Sequence, residues 1–212
     1  MSRVLVSWLG MALLFSAVSL PLQAEDKHPA ESLVIDTTNK VLGRLRRDKA
    51  ELEKDKNKIY PLVQELILPH FDFQKMSIWV LGKNWRKANA EQQKNFTREF
   101  QNLLVRTYST ALLGYTDQKI DFLPFHTGEG DRKVTVKSRI VQGGGATDIP
   151  LNYSLYLNKA GEWKVYDITV DGISLVTNYR TGFASEVRKG GIPGLLAKLE
   201  EMNKNVGNDN GK

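Results

Sequence analysis

Cysteine is absent from the 212 residues. That removes disulfides, thiolate metal ligands, a Cys nucleophile and lipid attachment at Cys. Histidine is scarce: His28, His70 and His126 are the only three, which supplies a His-rich metal centre poorly, and the lone His70 at a helix–helix joint reads as structural. Gly143-Gly144-Gly145 lacks a following Lys-Ser/Thr and stands between two strand patterns, so it is a turn and not a phosphate cradle. Neither sign of charge dominates: 30 Lys and Arg against 24 Asp and Glu leave a formal charge of +6. This mild excess suits an anionic partner without choosing among nucleic acid, phospholipid and acidic protein. The basic residues form no aromatic RNA-binding motif and no zinc finger, so no nucleic-acid partner is expected. What is present is ordinary: 41% hydrophobic and 25% charged residues. That composition argues against wholesale disorder and against a multi-span membrane protein.

The first 24 residues read as an address. Arg3 supplies a positive start, Val4–Leu20 is an apolar run, Pro21 breaks it, and Leu22-Gln23-Ala24 precedes the acidic Glu25-Asp26. The pattern is that of a secretory signal peptide over residues 1–24, with cleavage expected at about Ala24. The other reading, an uncleaved anchor, suffers from a run that is short for a span. Residues 25–206 are then expected to form one domain and 207–212 a flexible polar tail.

The first half of that domain has helical period. Val34, Thr38, Val41, Leu42 and Leu45 share one face, with Lys40, Arg44 and Arg47 opposite. Ile59–Ile67 is a short helix stopped by Pro69, and Phe71–Leu81 is an aromatic-rich one closed by Gly82. Asn89 with Gln92 makes a capping box for the strongest helix, whose stripe runs Phe96, Phe100, Leu103, Leu104, Thr107, Tyr108, Ala111, Leu112 up to Gly114. The period then changes to two. Lys119–Phe125, Lys133–Val141, Ile149–Leu157 and Trp163–Asp171 alternate and are joined by turn residues, an antiparallel meander. Ile173–Lys189 is helical again up to Gly190-Gly191, and Leu195, Leu196, Leu199 and Met202 mark a last short helix. Helices followed by strands predict an α+β fold, with N-terminal helices packed on a curved four-stranded antiparallel sheet.

Catalytic arrangements are thin. Gly172-Ile173-Ser174-Leu175-Val176 begins like a nucleophile elbow, but Val176 replaces the closing glycine. Asp167 and Asp171 share a strand face about 13 Å apart, too far for a retaining-glycosidase pair, and a cap or turn role suits them better. No enzyme and no cofactor is expected. An exported enzyme on a cone-shaped α+β scaffold would need a polar pocket with a perturbed carboxylate or His. A ligand-free adaptor would use the Lys/Arg helix face, which a carrier could use as well.

Two stretches carry a family resemblance. One is Leu68-Pro69-His70-Phe71-Asp72-Phe73-Gln74-Lys75-Met76-Ser77, continuing through Val80-Leu81-Gly82-Lys83-Asn84-Trp85-Arg86. The other is Trp163-Lys164-Val165-Tyr166-Asp167-Ile168-Thr169-Val170-Asp171-Gly172-Ile173-Ser174-Leu175-Val176, followed by Asn178-Tyr179-Arg180 and Phe183. They resemble the toluene-tolerance/MlaC family, except that Asp171 stands where the family often has Glu. The resemblance implies a soluble periplasmic phospholipid carrier of the Mla system, with an apolar pocket enclosed by helices and sheet. It also implies partners: phospholipids, an inner-membrane Mla ABC transporter complex and an outer-membrane Mla lipoprotein–porin complex. The carrier itself is expected to be a monomer. The pocket residues expected on strands are Val136, Tyr153, Leu155, Val165 and Ile168. Those expected on helices are Val80, Leu104, Tyr108, Leu112, Val176 and Tyr179, with Arg180 for a headgroup or a docking contact.

Overall fold

The computed structural model describes residues 27–114, 119–128 and 130–208. Within them the change of period divides the chain as its sequence predicts. Helices α1 (Pro29–Arg47), α2 (Lys49–Lys54), α3 (Ile59–Leu66), α4 (Phe73–Leu81) and α5 (Ala90–Leu113) come first. Strands β1 (Lys119–Phe122), β2 (Lys133–Val141), β3 (Ile149–Leu157), β4 (Trp163–Val170) and β5 (Ile173–Ser174) follow, and α6 (Leu175–Asn208) closes the chain. Residues 1–24, read as a signal peptide, lie outside the described residues. Helix α6 continues through Gly207 and Asn208, the start of the expected tail.

The sheet has five strands, not four, in the order β1-β2-β3-β4-β5 with every neighbouring pair antiparallel. The extra strand arises at Asp171-Gly172. Both residues have positive φ, 49° and 78°, which a two-residue hairpin turn demands and which Asp and Gly tolerate. The turn pairs Val170 with Ile173, so Ile173-Ser174 is strand and the next helix starts at Leu175. Its N-terminus is tied to β4: Asp167 accepts hydrogen bonds from the Ser174 hydroxyl (2.6 Å) and the Val176 N–H (3.0 Å). The Ser174 hydroxyl in turn accepts from the Thr177 N–H at 3.1 Å. Asp167 is thus the cap that its spacing suggested, and Ser174 is a capping group.

Helix α4 starts two residues later than predicted. Phe71 makes a bridge to Val165 and the Asp72 N–H donates to the Val165 carbonyl (2.9 Å), so this stretch covers part of the open edge of β4. Strand β1 ends at Phe122, three residues short of its predicted limit. Helix α6 is broken at Gly191 (φ 64°), and Pro193 begins the segment beyond, where a proline costs no helical hydrogen bond. Helix α5 carries the full capping box: the Gln92 N–H donates to the Asn89 side chain (2.9 Å) and the Asn89 N–H to the Gln92 side chain (3.0 Å). Asn89→Ala is expected to lower stability by ~1 kcal/mol in urea denaturation.

Three apolar cores result. The first joins α4, α5 and α6 around Met76, Val80, Phe96, Phe100, Val176 and Phe183. The second joins the C-terminal half of α1 to α2 and α3 through Val41, Leu45, Leu52, Ile59 and Leu62, with Val105, Leu112 and Ile120 against it. The third packs Ala30 and Val34 of α1 on Val134, Val136, Leu155 and Val165 of the sheet. The cationic face beside the second core is an ion-paired surface. Arg44 meets Asp48 and Glu65, Arg47 also meets Asp48, and Lys58 meets Glu51. The Arg44 guanidinium holds the Asp48 carboxyl below the usual carboxylate range. Such exposed pairs add little stability.

Candidate functional site

Three shared elements close the three cores into a ring. Helix α1 belongs to the second and third cores, α5 to the first and second, and Phe71 to the first and third. Among the described residues, helix α5 packs chiefly on α6, α3 and α4, and Ile120 of β1 reaches the second core beside Val105 and Leu112 of α5. The candidate site lies between the inner face of the sheet and α5.

One face of the sheet turns toward α1. Its residues lie in cross-strand rows set by the register. Val134, Leu155 and Val165 form the first row, Val136, Tyr153 and Ile168 the second, and Ser138, Leu151 and Val170 the third. Ile140 and Ile149 form the fourth. Val165 and Ile168 are three residues apart and would fall on opposite faces of a regular strand. A β-bulge opposite Ser154 and Leu155 inserts the extra residue that returns Ile168 to the Val165 face. Tyr166 and Asp167 between them serve the other structures: Tyr166 packs with Trp79 of α4, ring centroids 5.1 Å apart, and Asp167 caps α6.

The eleven expected pocket residues separate by burial. Val80, Val136, Leu155, Val165 and Val176 are at most 4% exposed and Leu104 is 7% exposed, all inside the closed cores. Tyr153, Ile168, Leu112 and Tyr179 are half-buried, and Tyr108 is exposed at 36%. Tyr179 meets Phe100 and Phe183 ring to ring, and its hydroxyl is raised above the usual tyrosine range by burial and by the neighbouring Tyr108. This contact ties α6 to α5 beside Tyr108. Arg180 is exposed and its guanidinium lies over Gly82 at the end of α4. A Cβ at Gly82 would come within 3.2 Å of Nη2. Gly82 also has φ 54°, so glycine is needed there on two counts. The end of a helix is favourable ground for a cation.

Tyr153 combines two features. Burial pushes its hydroxyl up to about 12, against the lowering effect of the Thr38 and Ser138 side chains beside it. The residue is half-buried and packs against the third core. Thr38 and Ser138 were absent from the sequence-based selection, as were Leu151 and Val170. The alternation of β3 and β4 carried the signal for the last two. For Thr38 the local signal was its place on the apolar face of α1 with Val34 and Val41, but the strand it meets is more than one hundred residues away.

Two surface clefts lie elsewhere. One of about 410 Å³ is lined by polar residues of α5 with Gln74 and Trp85. The other, about 360 Å³, lies beside the start of α1, where Leu33, His70 and Trp163 meet. Neither includes any of the expected site residues. His70 is held below the usual histidine range by burial, with Lys164 and Lys40 adding to the effect. Among the described residues, no cluster of His, Asp or Glu could hold a metal ion. No described helix is long and apolar enough to cross a membrane.

The family model for the MlaC protein matches residues 35–201. The chain belongs to the MlaC family. That match runs from within α1 to the C-terminal segment of α6. Among its relatives, the Haemophilus influenzae intermembrane phospholipid transport system binding protein MlaC is 26% identical over 170 residues, 80% of this chain and 79% of that protein. The toluene tolerance protein ttg2D of Pseudomonas putida is 29% identical over 188 residues, 88% of this chain and 86% of that one. A solved structure of the phospholipid-binding protein from Ralstonia solanacearum, in complex with a phospholipid, superposes with a TM-score of 0.77. It is 30% identical, and the match covers 85% of this chain and 99% of that one. The α+β fold with an open antiparallel sheet is therefore that of a phospholipid-binding family and not of an enzyme family.

Proposed function

We propose that this MlaC-family chain is a periplasmic phospholipid carrier of the Mla system. It holds glycerophospholipid tails in the recess between the sheet and α5, and shuttles between the inner-membrane ABC transporter complex and the outer-membrane lipoprotein–porin complex to maintain outer-membrane lipid asymmetry. It acts as a monomer, without cofactor, catalysis or nucleic acid. The observation that carries this reading is the similarity to the phospholipid-bound Ralstonia protein over nearly all of that chain.

The chemistry of the recess supports it. Two chains of about sixteen carbons present roughly 25 kcal/mol of apolar transfer free energy to water, at ~0.8 kcal/mol per methylene. Free diffusion across an aqueous compartment is then negligible, and a protein surface must replace the bilayer. Tails form no hydrogen bonds, so the wall needs accessible apolar atoms and few unpaired polar groups. Tyr108, Leu112, Tyr153, Ile168 and Tyr179 keep accessible surface on the elements that border the recess, and we assign the acyl contacts to them. Val80, Leu104, Val136, Leu155, Val165 and Val176 support them from behind. Arg180 has no carboxylate ion pair among the described residues and is assigned to the lipid phosphate at the mouth. Export through the signal peptide puts the carrier in the periplasm.

The test is native mass spectrometry of purified protein, followed by organic extraction. Co-purified phospholipid near one molecule or more per chain is the expected result. A persistently empty protein that also fails to take lipid from vesicles overturns the reading.

A further inference from the structure

Burial along the inner face of the sheet is graded. The first row is closed: Val134, Leu155 and Val165 are 8%, 0% and 4% exposed, and Ala30 and Val34 of α1 seal it at 0% and 4%. In the second row Val136 is buried at 1%, but Tyr153 and Ile168 keep accessible surface. In the third row Ser138 is buried at 1%, but Leu151 and Val170 keep accessible surface, as do Ile140 and Ile149 of the fourth. Accessible apolar surface therefore begins at the second row and extends toward the end of the sheet that carries the β2–β3 connection and the Asp171-Gly172 turn. Successive rows are ~7 Å apart.

Tyr153 stands at the boundary, packed against the third core. Its hydroxyl lies beside the Thr38 side chain of α1 and the Ser138 side chain of β2, and the Ser138 hydroxyl donates to the Leu151 carbonyl at 2.7 Å. The ring thus has closed core behind it. A large aromatic ring packed on a closed core costs more to displace than a free aliphatic side chain, because displacement exposes its faces and leaves a void behind it.

We infer that the Tyr153 ring, packed on the closed first row of the sheet, is the floor of the recess and sets the longest acyl chain that the protein accepts. This inference rests on the carrier reading and adds the selectivity of the same site. Methylenes beyond the floor have no apolar wall to enter and must stay in water at the mouth. Each such methylene lowers occupancy about fourfold relative to a chain that fits. Discrimination by length thus falls on long chains and spares short ones.

The experiment loads protein from vesicles of equimolar phosphatidylglycerols bearing myristoyl, palmitoyl and stearoyl chains, and reads the bound species by mass spectrometry after extraction. The wild-type protein is expected to take less of the longest lipid than the vesicles contain. Tyr153→Ala opens the floor and is expected to raise the bound fraction of that lipid on the order of tenfold relative to the shortest. Tyr153→Phe keeps the ring and is expected to stay near the wild-type distribution. Leu151→Phe narrows the recess on its open side and is expected to shift the distribution toward short chains, which tests the floor should Tyr153→Ala not fold. Unchanged chain-length distributions in the folded variants, with lipid still bound, overturn the floor and leave the carrier reading standing. A wild-type protein that takes no lipid overturns both.

Discussion

Purified Ile168→Asp protein is expected to fold and to lose its phospholipid, with lipid content at least about tenfold below the wild type. Ile168 lies in the second row of the sheet, opposite Tyr153, on the accessible side of the closed core. An aspartate there can stay hydrated in the empty protein, so folding is little affected. A bound tail must strip that water without offering a hydrogen bond, and an unpaired carboxylate in apolar surroundings costs several kcal/mol. Circular dichroism should match the wild type while extraction finds little lipid, and Ile168→Leu should retain it. A folded Ile168→Asp protein with full lipid content would put the tails elsewhere. The same charge at Leu104 or Val165 is a poorer test, although both were expected pocket residues. They are 7% and 4% exposed inside two different cores, so a carboxylate there is expected to unfold the protein.

Phe100→Ala is expected to cost ~3–5 kcal/mol and to lower the melting temperature by roughly 10 °C. The ring is fully buried. It stacks on Phe96 with centroids 5.7 Å apart and meets Tyr179 and Phe183 edge-on at 5.3 and 6.0 Å. Truncation removes the transfer free energy of one large ring and leaves a cavity that three other rings cannot collapse to fill. Because these rings join α5 to α6, the side of the recess carrying Tyr108 and Tyr179 should loosen as well. Phe96→Ala should cost a similar amount. The double variant should fall short of the sum, since the two rings share partners. A loss below about 1 kcal/mol in thermal unfolding would mean that the aromatic cluster does not hold the two helices together.

The elements themselves follow from local sequence. Asn89 and Gln92 cap α5 because their side chains reach only local backbone, and the period of two in β2 and β3 reflects contacts that alternate residue by residue. Even the hairpin at Asp171-Gly172 had a local signal, a dipeptide that accepts two positive φ values. The prediction of a helix from Ile173 missed it because the apolar spacing of the helix runs back into the short strand. The bulge in β4 left no such mark. It changes which face Ile168 occupies, and it depends on how β3 pairs across from it.

By itself, the sequence determined the order of helices and strands, the cap of α5, and most of the side chains that point inward. Only the tertiary structure decided which of those inward side chains are closed core and which still have surface to offer. Val165 and Ile168 are both apolar residues of one strand on one face, yet α1 seals the first and leaves the second accessible. The physical reason is that hydrophobic periodicity records that a side chain leaves water, and not what it meets when it does. That second fact is set by α1, α5 and Phe71 closing three cores into a ring, through contacts between residues far apart in the chain.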